Sequence, residues 1–393
     1  MKRTPKKLTS AAMLLGMMLT CGPALAADTP SGPAPGPETR TLDQIYQAAL
    51  AEGGRLVVYA GGDVPDGNAG VEKAFKERFP GIDIRIVTDL SKYHDMRIDQ
   101  QLARNRLECD VAHLQTMHDF DRWKAMDLLE PYKPLGWEAV YPEFKDPDGA
   151  FTAVKLFSFS NTVANAIPDG QAPREALDYL DPSLKGKIVL TYPHDDDAVL
   201  YQFDRIISVH GWEYLDTLMR QDVQWIRGTV PAARVVGTGS KLATFTASGA
   251  LAPGKTSRFI LPKAEPFLAW PQMAAIFRHA KHKEAARLYL SWLLDKETIK
   301  AMPYQWTVRR DAENPGGYQT VYAYNTDMGA FRRFMADRAL VERLKGRFEQ
   351  VIGPITGNNP TGASGLYLPG NESGKERRQG ECAAHREKGG TLR

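Results

Sequence analysis

Helical and extended hydrophobic patterns alternate along the first part of the chain. Apolar residues recur at helical spacing over residues 42–49 and again over residues 71–79. Each run is followed by a short apolar strand, at residues 56–59 and 82–86. An order of helix, strand, helix and strand is typical of a parallel sheet with crossover helices, so the pattern predicts an α/β fold.

The alternation continues towards the C-terminus and predicts a larger sheet. Extended patterns cover residues 110–114, 154–164, 188–190 and 242–246. Helical patterns cover residues 123–129, 198–210, 213–220, 285–293 and 328–351. Residues 249–256 match the phosphate-loop motif, but Pro262 and Pro266 follow where that motif requires a helix, so we interpret them as an ordinary loop.

The first 26 residues have the pattern of a secretory signal peptide. Four basic residues lead into the apolar residues 11–19, and Ala24 and Ala26 frame a small-residue cleavage site. We therefore predict a soluble, exported protein, with Ala27 as its first mature residue. Without those four of its 50 basic residues the chain has 46 against 47 acidic ones, which leaves no basic excess for a nucleic-acid partner.

Sequence motifs that indicate catalysis are missing. The sequence has no Gly-x-Ser-x-Gly element, and its histidines do not have metalloprotease spacing. Cys109 and Cys382, the mature cysteines, are too few for a zinc knuckle, and whether they pair stays open. We therefore predict a protein that is not an enzyme and that needs no cofactor.

The stretch at residues 181–197 is the strongest candidate for a functional site. A turn leads into the strand at residues 188–190, and a polar loop follows with Tyr192, His194, Asp195, Asp196 and Asp197. Ligands of open α/β sheets bind beyond the carboxyl ends of the strands, so these side chains are placed to face one. Three adjacent aspartates also occur in solvated loops, and that interpretation stays open.

Several short segments occur in a fixed order over about residues 55–311. The most specific is the element Asp-Pro-Ser-Leu-Lys-Gly-Lys-Ile at residues 181–188. The others are Gly61-Gly62 and residues 79–81, 110–111, 127–132, 146–149, 280–286 and 308–311. In these segments the chain resembles the periplasmic solute-binding proteins of bacterial ABC importers, in the iron(III)-type group (extracellular solute-binding family 1), which implies a periplasmic location.

The resemblance implies a type II periplasmic-binding fold, with two α/β lobes that close on a solute about a hinge. The implied boundaries are a signal peptide at residues 1–26, a linker and helix at 27–54, one lobe at 55–157 plus 267–370, a second lobe at 158–266, and a disordered tail at 371–393. The hinge crossings are expected near residues 157–161 and 262–270. The implied partners of this monomer are a small-molecule or metal-ion solute and an ABC permease in the inner membrane.

The predicted ligand site combines polar residues that follow several strands. They are Gly61, Gly62, Asp63, Gln115, Thr116, Ser160, Asn161, Tyr192, His194, Asp195, Asp197, Arg227 and Thr229. Arg227 and the amides of a helix starting near Val230 would hold an anion, while Asp195 and Asp197 would hold an ammonium group or a metal. A zwitterionic or amine-bearing solute fits such a site. Equally open is an interpretation with Asp196 and Asp197 in water and Arg227 in a salt bridge.

Iron(III) fits this sequence less well than it fits the iron-binding members of the group. Those members use two adjacent tyrosines late in the chain, whereas Tyr318, Tyr322 and Tyr324 are not adjacent. Polyamines, aminophosphonates and thiamine are alternative solutes. The alternative functions are an exported metal-dependent enzyme on the same fold and a chemosensory binding protein.

Overall fold

Eight of the described strands form one mixed sheet. The computed structural model describes residues 35–303 and 305–362, so the predicted signal peptide and the predicted tail at residues 371–393 lie outside the described residues. In chain order the strands are β1 (Arg55–Gly61), β2 (Asp83–Asp89), β3 (Val111–Leu114), β4 (Leu129–Glu130), β5 (Thr152–Ala164), β6 (Val189–Thr191), β7 (Gln224–Ile226), β8 (Ala243–Ala247), β9 (Ser257–Ile260) and β10 (Leu268–Phe277). The α-helices are α1 (Leu42–Glu52), α2 (Ala69–Arg78), α3 (Ser91–Ala103), α4 (Met117–Ala125), α5 (Asp197–His210), α6 (Glu213–Met219), α7 (Thr229–Gly237), α8 (Lys283–Leu293), α9 (Lys296–Ala301), α10 (Ala330–Ala336) and α11 (Arg338–Ile352). None of these helices is long and apolar enough to cross a membrane.

The sheet combines parallel and antiparallel pairs. Its order is β2-β1-β3-β10-β5-β8, with β4 added to β10 and β9 added to β5. β1 is parallel to both β2 and β3, as the alternation of helices and strands predicts, whereas β10 is antiparallel to its neighbours. β6 and β7 pair in parallel, and a bridge between Ile188 and Ala243 joins them to β8. The α/β class predicted from the sequence is confirmed.

β5 and β10 connect the two groups of strands. β5 pairs with β10 as far as Phe159, opposite Leu268, and from Ser160 onwards it pairs with β8 and β9. β5 therefore leads the chain from the β1–β4 group to the β6–β9 group, and β10 leads it back. Every residue of β10 is buried, which is why its sequence is a nearly continuous apolar run instead of an alternating one.

The helix predicted at residues 123–129 is wrong in its bounds. It is α4, which ends at Ala125, and Asp127 then adopts a positive φ of 55°. Leu129 lies in β4 and pairs with Phe277 of β10. Trp123 in the helix and Leu129 in the strand are both buried, and periodicity alone does not separate a helix from a strand that follows it closely.

The last helical region, predicted as residues 328–351, is two helices. The side chain of Asp337 accepts a hydrogen bond from the Leu340 amide at 2.9 Å, so it caps a new helix, α11. The loop predicted at residues 249–256 is confirmed, since no helix follows it and the chain enters β9 instead.

Candidate functional site

Carboxyl ends of strands from both sheets supply the residues of the candidate site. Asp63 follows β1, and Lys92 lies in the first turn of α3, directly after β2. Asp195 follows β6, and Arg227 follows β7. Because the carboxyl ends of parallel neighbours share one edge, each sheet gathers its polar side chains at a single place. Contacts made by Asp195 and by Asp63 join these two places.

Asp195 is the centre of the larger group of contacts. Its Oδ1 lies 2.8 Å from Lys92 Nζ, and its Oδ2 accepts a hydrogen bond from Arg227 Nε at 2.8 Å. The residue is only 5% exposed. Burial would raise the pKa of this carboxyl group, but the hydrogen bonds from Arg227 and the charge of Lys92 hold it below its usual value. Asp195 is therefore an ionised, fully engaged carboxylate.

Asp63 makes the second contact between strand ends. Its Oδ2 accepts hydrogen bonds from the backbone amide of Thr229, from Thr229 Oγ1 at 2.8 Å and from the Val230 amide at 3.0 Å. These two amides belong to the first turn of α7, so the carboxylate acts as a cap supplied from 166 residues away. The structure brings the predicted residues Asp63 and Thr229 together, and it places a protein carboxylate at the helix end where we expected an anionic ligand.

The other two aspartates of the triplet are not a solvated loop. Asp196 is the N-cap of α5 and accepts hydrogen bonds from the Ala198 and Val199 amides at 2.9 and 3.0 Å. Asp197 is 8% exposed and lies 2.9 Å from Lys345 Nζ of α11. The structure therefore contains a salt bridge of Arg227, which was one of the two open interpretations, but it does not place Asp197 in water.

A C-terminal segment, residues 353–362, covers this group of strand ends. Thr356 Oγ1 lies 3.0 Å from the hydroxyl of Tyr192 after β6, and Thr361 Oγ1 donates to Asp89 Oδ1 at the end of β2 at 3.0 Å. A Cβ at Gly228, after β7, would lie 3.2 Å from Pro360 Cγ. The segment therefore contacts strand ends of both sheets. No motif in the sequence marked it.

His194 lies beside Tyr192, close to the same C-terminal segment. The two rings meet edge to face, with their centroids 5.4 Å apart. Burial lowers the pKa of the His194 imidazole, so the ring is neutral near pH 7. Both predicted residues are thus packed inside the protein.

Four predicted residues are engaged elsewhere. Ser160 Oγ donates to the Ile260 carbonyl at 2.7 Å, and Asn161 Nδ2 donates to the Arg174 carbonyl at 2.7 Å, both within the β5–β9 region. The backbone amide of Gln115 donates a hydrogen bond to Ser91 Oγ at 3.3 Å, which places Gln115 near the start of α3. Thr116 is buried next to it. Ser160 and Asn161 are not in the Asp195 or Asp63 contacts, and their role as ligand residues stays a prediction.

Gly61 and Gly62 allow close packing at the end of β1. A Cβ at Gly61 would overlap Ser91 Oγ and lie 3.1 Å from Gln272 Nε2, and a Cβ at Gly62 would lie 2.7 Å from Thr88 Cγ2.

We expect Gly61→Ala to lower the free energy of unfolding by about 1–3 kcal/mol, because the start of α3 must move. Gly346→Ala in α11 is the control of opposite sign: nothing lies within 4 Å of its Cβ, so it should stabilise by about 0.5–1 kcal/mol. Urea unfolding of both variants measures this, and equal shifts would contradict the packing described here.

A cavity of about 460 Å³ borders the same edge of the sheet, and its lining includes His113, Lys155, Gln272, Trp306 and Asn314. Desolvation lowers the pKa of the Lys155 ammonium to about 8. The volume lies within the range of small-molecule sites. The structure thus offers solute-sized space next to Gly61 as well as polar contacts between strand ends.

Two acidic side chains face each other between α3 and α4. Burial, followed by the charge of the neighbouring Asp119, raises the pKa of Asp95 to about 7. Burial also lowers the pKa of the neighbouring His118. Sequence spacing did not indicate this cluster, because Asp95 belongs to a helix that hydrophobic periodicity missed.

Comparison with known proteins identifies the fold. No protein-family model and no curated protein sequence matches the chain. Among solved structures, it is similar to the substrate-binding protein of an ABC transporter from Agrobacterium tumefaciens, with 15% identity, 76% of this chain and 94% of that chain covered, and a TM-score of 0.63. It is also similar to the periplasmic binding protein AfuA from Actinobacillus pleuropneumoniae, solved with exogenous fructose-6-phosphate (18% identity, 76% and 99% covered, TM-score 0.60). Iron-bound HitA from Pseudomonas aeruginosa gives 17% identity, 75% and 99% covered, and a TM-score of 0.57.

These likenesses show that the chain has the α/β fold of the two-lobed periplasmic binding proteins. The fold implied by the sequence resemblance is therefore confirmed. The structural neighbours are binding proteins, not enzymes. The solute, the permease and the lobe boundaries stay predictions.

Proposed function

We propose that this protein is an exported receptor that captures a small solute between two lobes and delivers it to an ABC import permease in the inner membrane, without catalysis. The fold supports the proposal, because this architecture binds solutes by closing about two connecting strands. β5 and β10 are such strands, and we place the hinge where β5 changes partners between Phe159 and Ser160.

The observation that carries the proposal is the pair of polar contacts between strand ends, Lys92 with Asp195 and Asp63 with α7. Both join the β1–β2 region to the β6–β7 region, and both consist of ion pairs and hydrogen bonds. When the strand ends separate, water can solvate Lys92, Asp63 and the α7 amides while Asp195 keeps Arg227 as its partner, whereas an apolar interface would resist separation. A receptor that opens and closes needs contacts of this kind.

The charges of these contacts suggest the class of solute. Arg227 and the α7 amides already hold protein carboxylates, Asp195 and Asp63, as partners. A solute with one anionic and one cationic group can satisfy both partners of such a contact. Its anionic group binds Arg227 or the α7 amides in place of a protein carboxylate, and its cationic group pairs with the carboxylate that is released. A simple anion would leave a buried carboxylate unpaired, which is strongly unfavourable. We therefore propose a zwitterionic or amine-bearing solute.

A thermal-unfolding screen of the mature protein tests the proposal. The panel holds aminophosphonates, polyamines, thiamine and its phosphates, iron(III), divalent metals and simple oxyanions, applied to protein refolded to remove bound ligand. A solute at one hundred times its dissociation constant should stabilise the protein by about 2.7 kcal/mol. Stabilisation by a zwitterion and none by oxyanions is the expected result, and no stabilisation by any compound would contradict the receptor proposal.

Two variants locate the bound solute. Asp195→Asn keeps the shape of the side chain and removes its charge, so we expect it to abolish the stabilisation if the solute binds between the strand ends. Gln272→Ala alters the 460 Å³ cavity instead. Asp66→Asn is the matched control, because Asp66 is 63% exposed in its pair with Arg234. Unchanged stabilisation in Asp195→Asn would remove Asp195 from the solute site.

A further inference from the structure

A cluster of three metal-ligating side chains lies between α3 and α4, apart from the contacts of Asp195 and Asp63. Asp95, His118 and Asp119 each offer one ligand atom, and these atoms all lie within 4.8 Å of one another. His118 Nε2 is 3.7 Å from Asp119 Oδ1. Two metal–ligand bonds of about 2.1 Å span at most about 4.2 Å, so one ion can join this pair with the backbone in place.

The burial of Asp119 points independently to a ligand. The residue is 2% exposed, and Arg122 Nη2 donates to its Oδ1 at 2.8 Å. Its buried Oδ2 has no hydrogen-bond partner among residues 35–303 and 305–362. Buried carboxylate oxygens nearly always have a partner. Asp119 Oδ2 is therefore suited to bind a ligand that does not belong to the protein chain.

The charges around the cluster favour a divalent cation. Arg122 is shared, because its Nη1 also lies 2.8 Å from Asp99 Oδ2. The carboxyl groups of Asp95, Asp99 and Asp119 outnumber this one guanidinium. Arg338 and Asp197 also act on His118, and their opposite charges offset each other. A cation bound among the three carboxyl groups would balance the acidic excess.

We propose that Asp95, His118 and Asp119 form a binding site for a divalent transition-metal ion. One imidazole nitrogen with carboxylate oxygens suits Zn²⁺, Mn²⁺ or Co²⁺, whereas Ca²⁺ and Mg²⁺ prefer oxygen ligands alone. Zn²⁺ is the best match, since it accepts mixed nitrogen and oxygen ligands at low coordination number. This site differs from the one expected at Asp195 and Asp197, and it does not depend on the receptor function.

Titration of the chelator-stripped mature protein with CoCl₂ tests the site, because Co²⁺ bound by protein ligands has a visible absorption that the free ion lacks. We expect one equivalent to bind, with ZnCl₂ displacing it. His118→Ala and Asp119→Asn should each weaken Co²⁺ binding at least about tenfold. Circular dichroism establishes that both variants are folded, and His118→Ala carries the test if Asp119→Asn unfolds.

Asp121→Asn is the matched control on the same helix, because Asp121 is 48% exposed and pairs with Arg332 instead. It should bind Co²⁺ as the wild type does. Absence of Co²⁺ binding by the wild type would overturn the proposal. So would full Co²⁺ binding by both His118→Ala and Asp119→Asn, since the metal would then be held elsewhere.

Discussion

Replacing Asp195 by alanine is expected to lower the free energy of unfolding by about 3 kcal/mol, the larger of the two main effects predicted here. The variant leaves Arg227 and Lys92 facing each other without the carboxylate that pairs with both. Arg227 has a side chain that is only 14% exposed, so water does not fully replace the lost partner. Denaturant unfolding at pH 7 measures the change.

Arg234→Ala is the matched control for that prediction. It breaks the ion pair between Asp66 and Arg234, whose side chains are 63% and 58% exposed. Exposed pairs contribute less than about 1 kcal/mol, so the two variants should differ clearly. Equal effects would contradict the description of Asp195 as a buried centre of charge.

The effect of Asp195→Ala should depend on pH. Burial opposes ionisation of Asp195, but Arg227 and Lys92 lower its folded pKa below the usual value. Such a group stabilises the fold above its unfolded pKa of about 3.9, and the contribution disappears as the pH falls through the folded pKa. The difference between wild type and variant should therefore be full at neutral pH and shrink below about pH 4. A difference that grows in acid would contradict this account.

Replacing Asp63 by alanine is the second large effect, with an expected loss of about 2 kcal/mol. The change removes the acceptor of three hydrogen bonds at the start of α7, two of them from backbone amides, and the loss of such a helix cap costs up to about 2 kcal/mol. Because Asp63 follows β1 and α7 follows β7, the loss also separates the two regions. Denaturant unfolding gives the stability change, and small-angle scattering should show a larger radius of gyration.

Asp63→Asn separates the loss of the cap from the loss of the charge. Asparagine retains an oxygen that accepts the same amides and caps helices about as well as aspartate. We expect this variant to lie within about 0.5 kcal/mol of the wild type. A loss as large as that of Asp63→Ala would mean that the charge, and not the hydrogen bonds, holds the α7 end.

Sequence patterns predicted the parts of the fold whose buried faces are apolar. The helices at residues 198–210 and 213–220 and the strand at residues 242–246 are α5, α6 and β8. By contrast, α3 was missed because its buried face consists of Ser91, His94, Ile98 and Gln101, of which only one is apolar. Hydrophobic periodicity does not register a helix whose polar side chains are buried by hydrogen bonding.

Missing α3 also meant missing part of the site. Lys92 and Asp95 lie on that helix, so one of the two partners of Asp195 and one of the proposed metal ligands had no sequence signal. The contact between Thr361 and Asp89 joins residues 272 positions apart. One sequence gives no information on pairs so distant, whereas the loop at residues 192–197 was recognisable because a buried strand precedes it directly.

The central claim is that the protein binds a solute and returns it unchanged. Its most direct test combines calorimetric titration of the stripped mature protein with a stabilising solute and mass spectrometry of the solute released by denaturation. The account predicts one equivalent bound, lost in Asp195→Asn, and recovery of the same compound after prolonged incubation. Conversion of the solute to a product, or no binding of any panel compound, would contradict it.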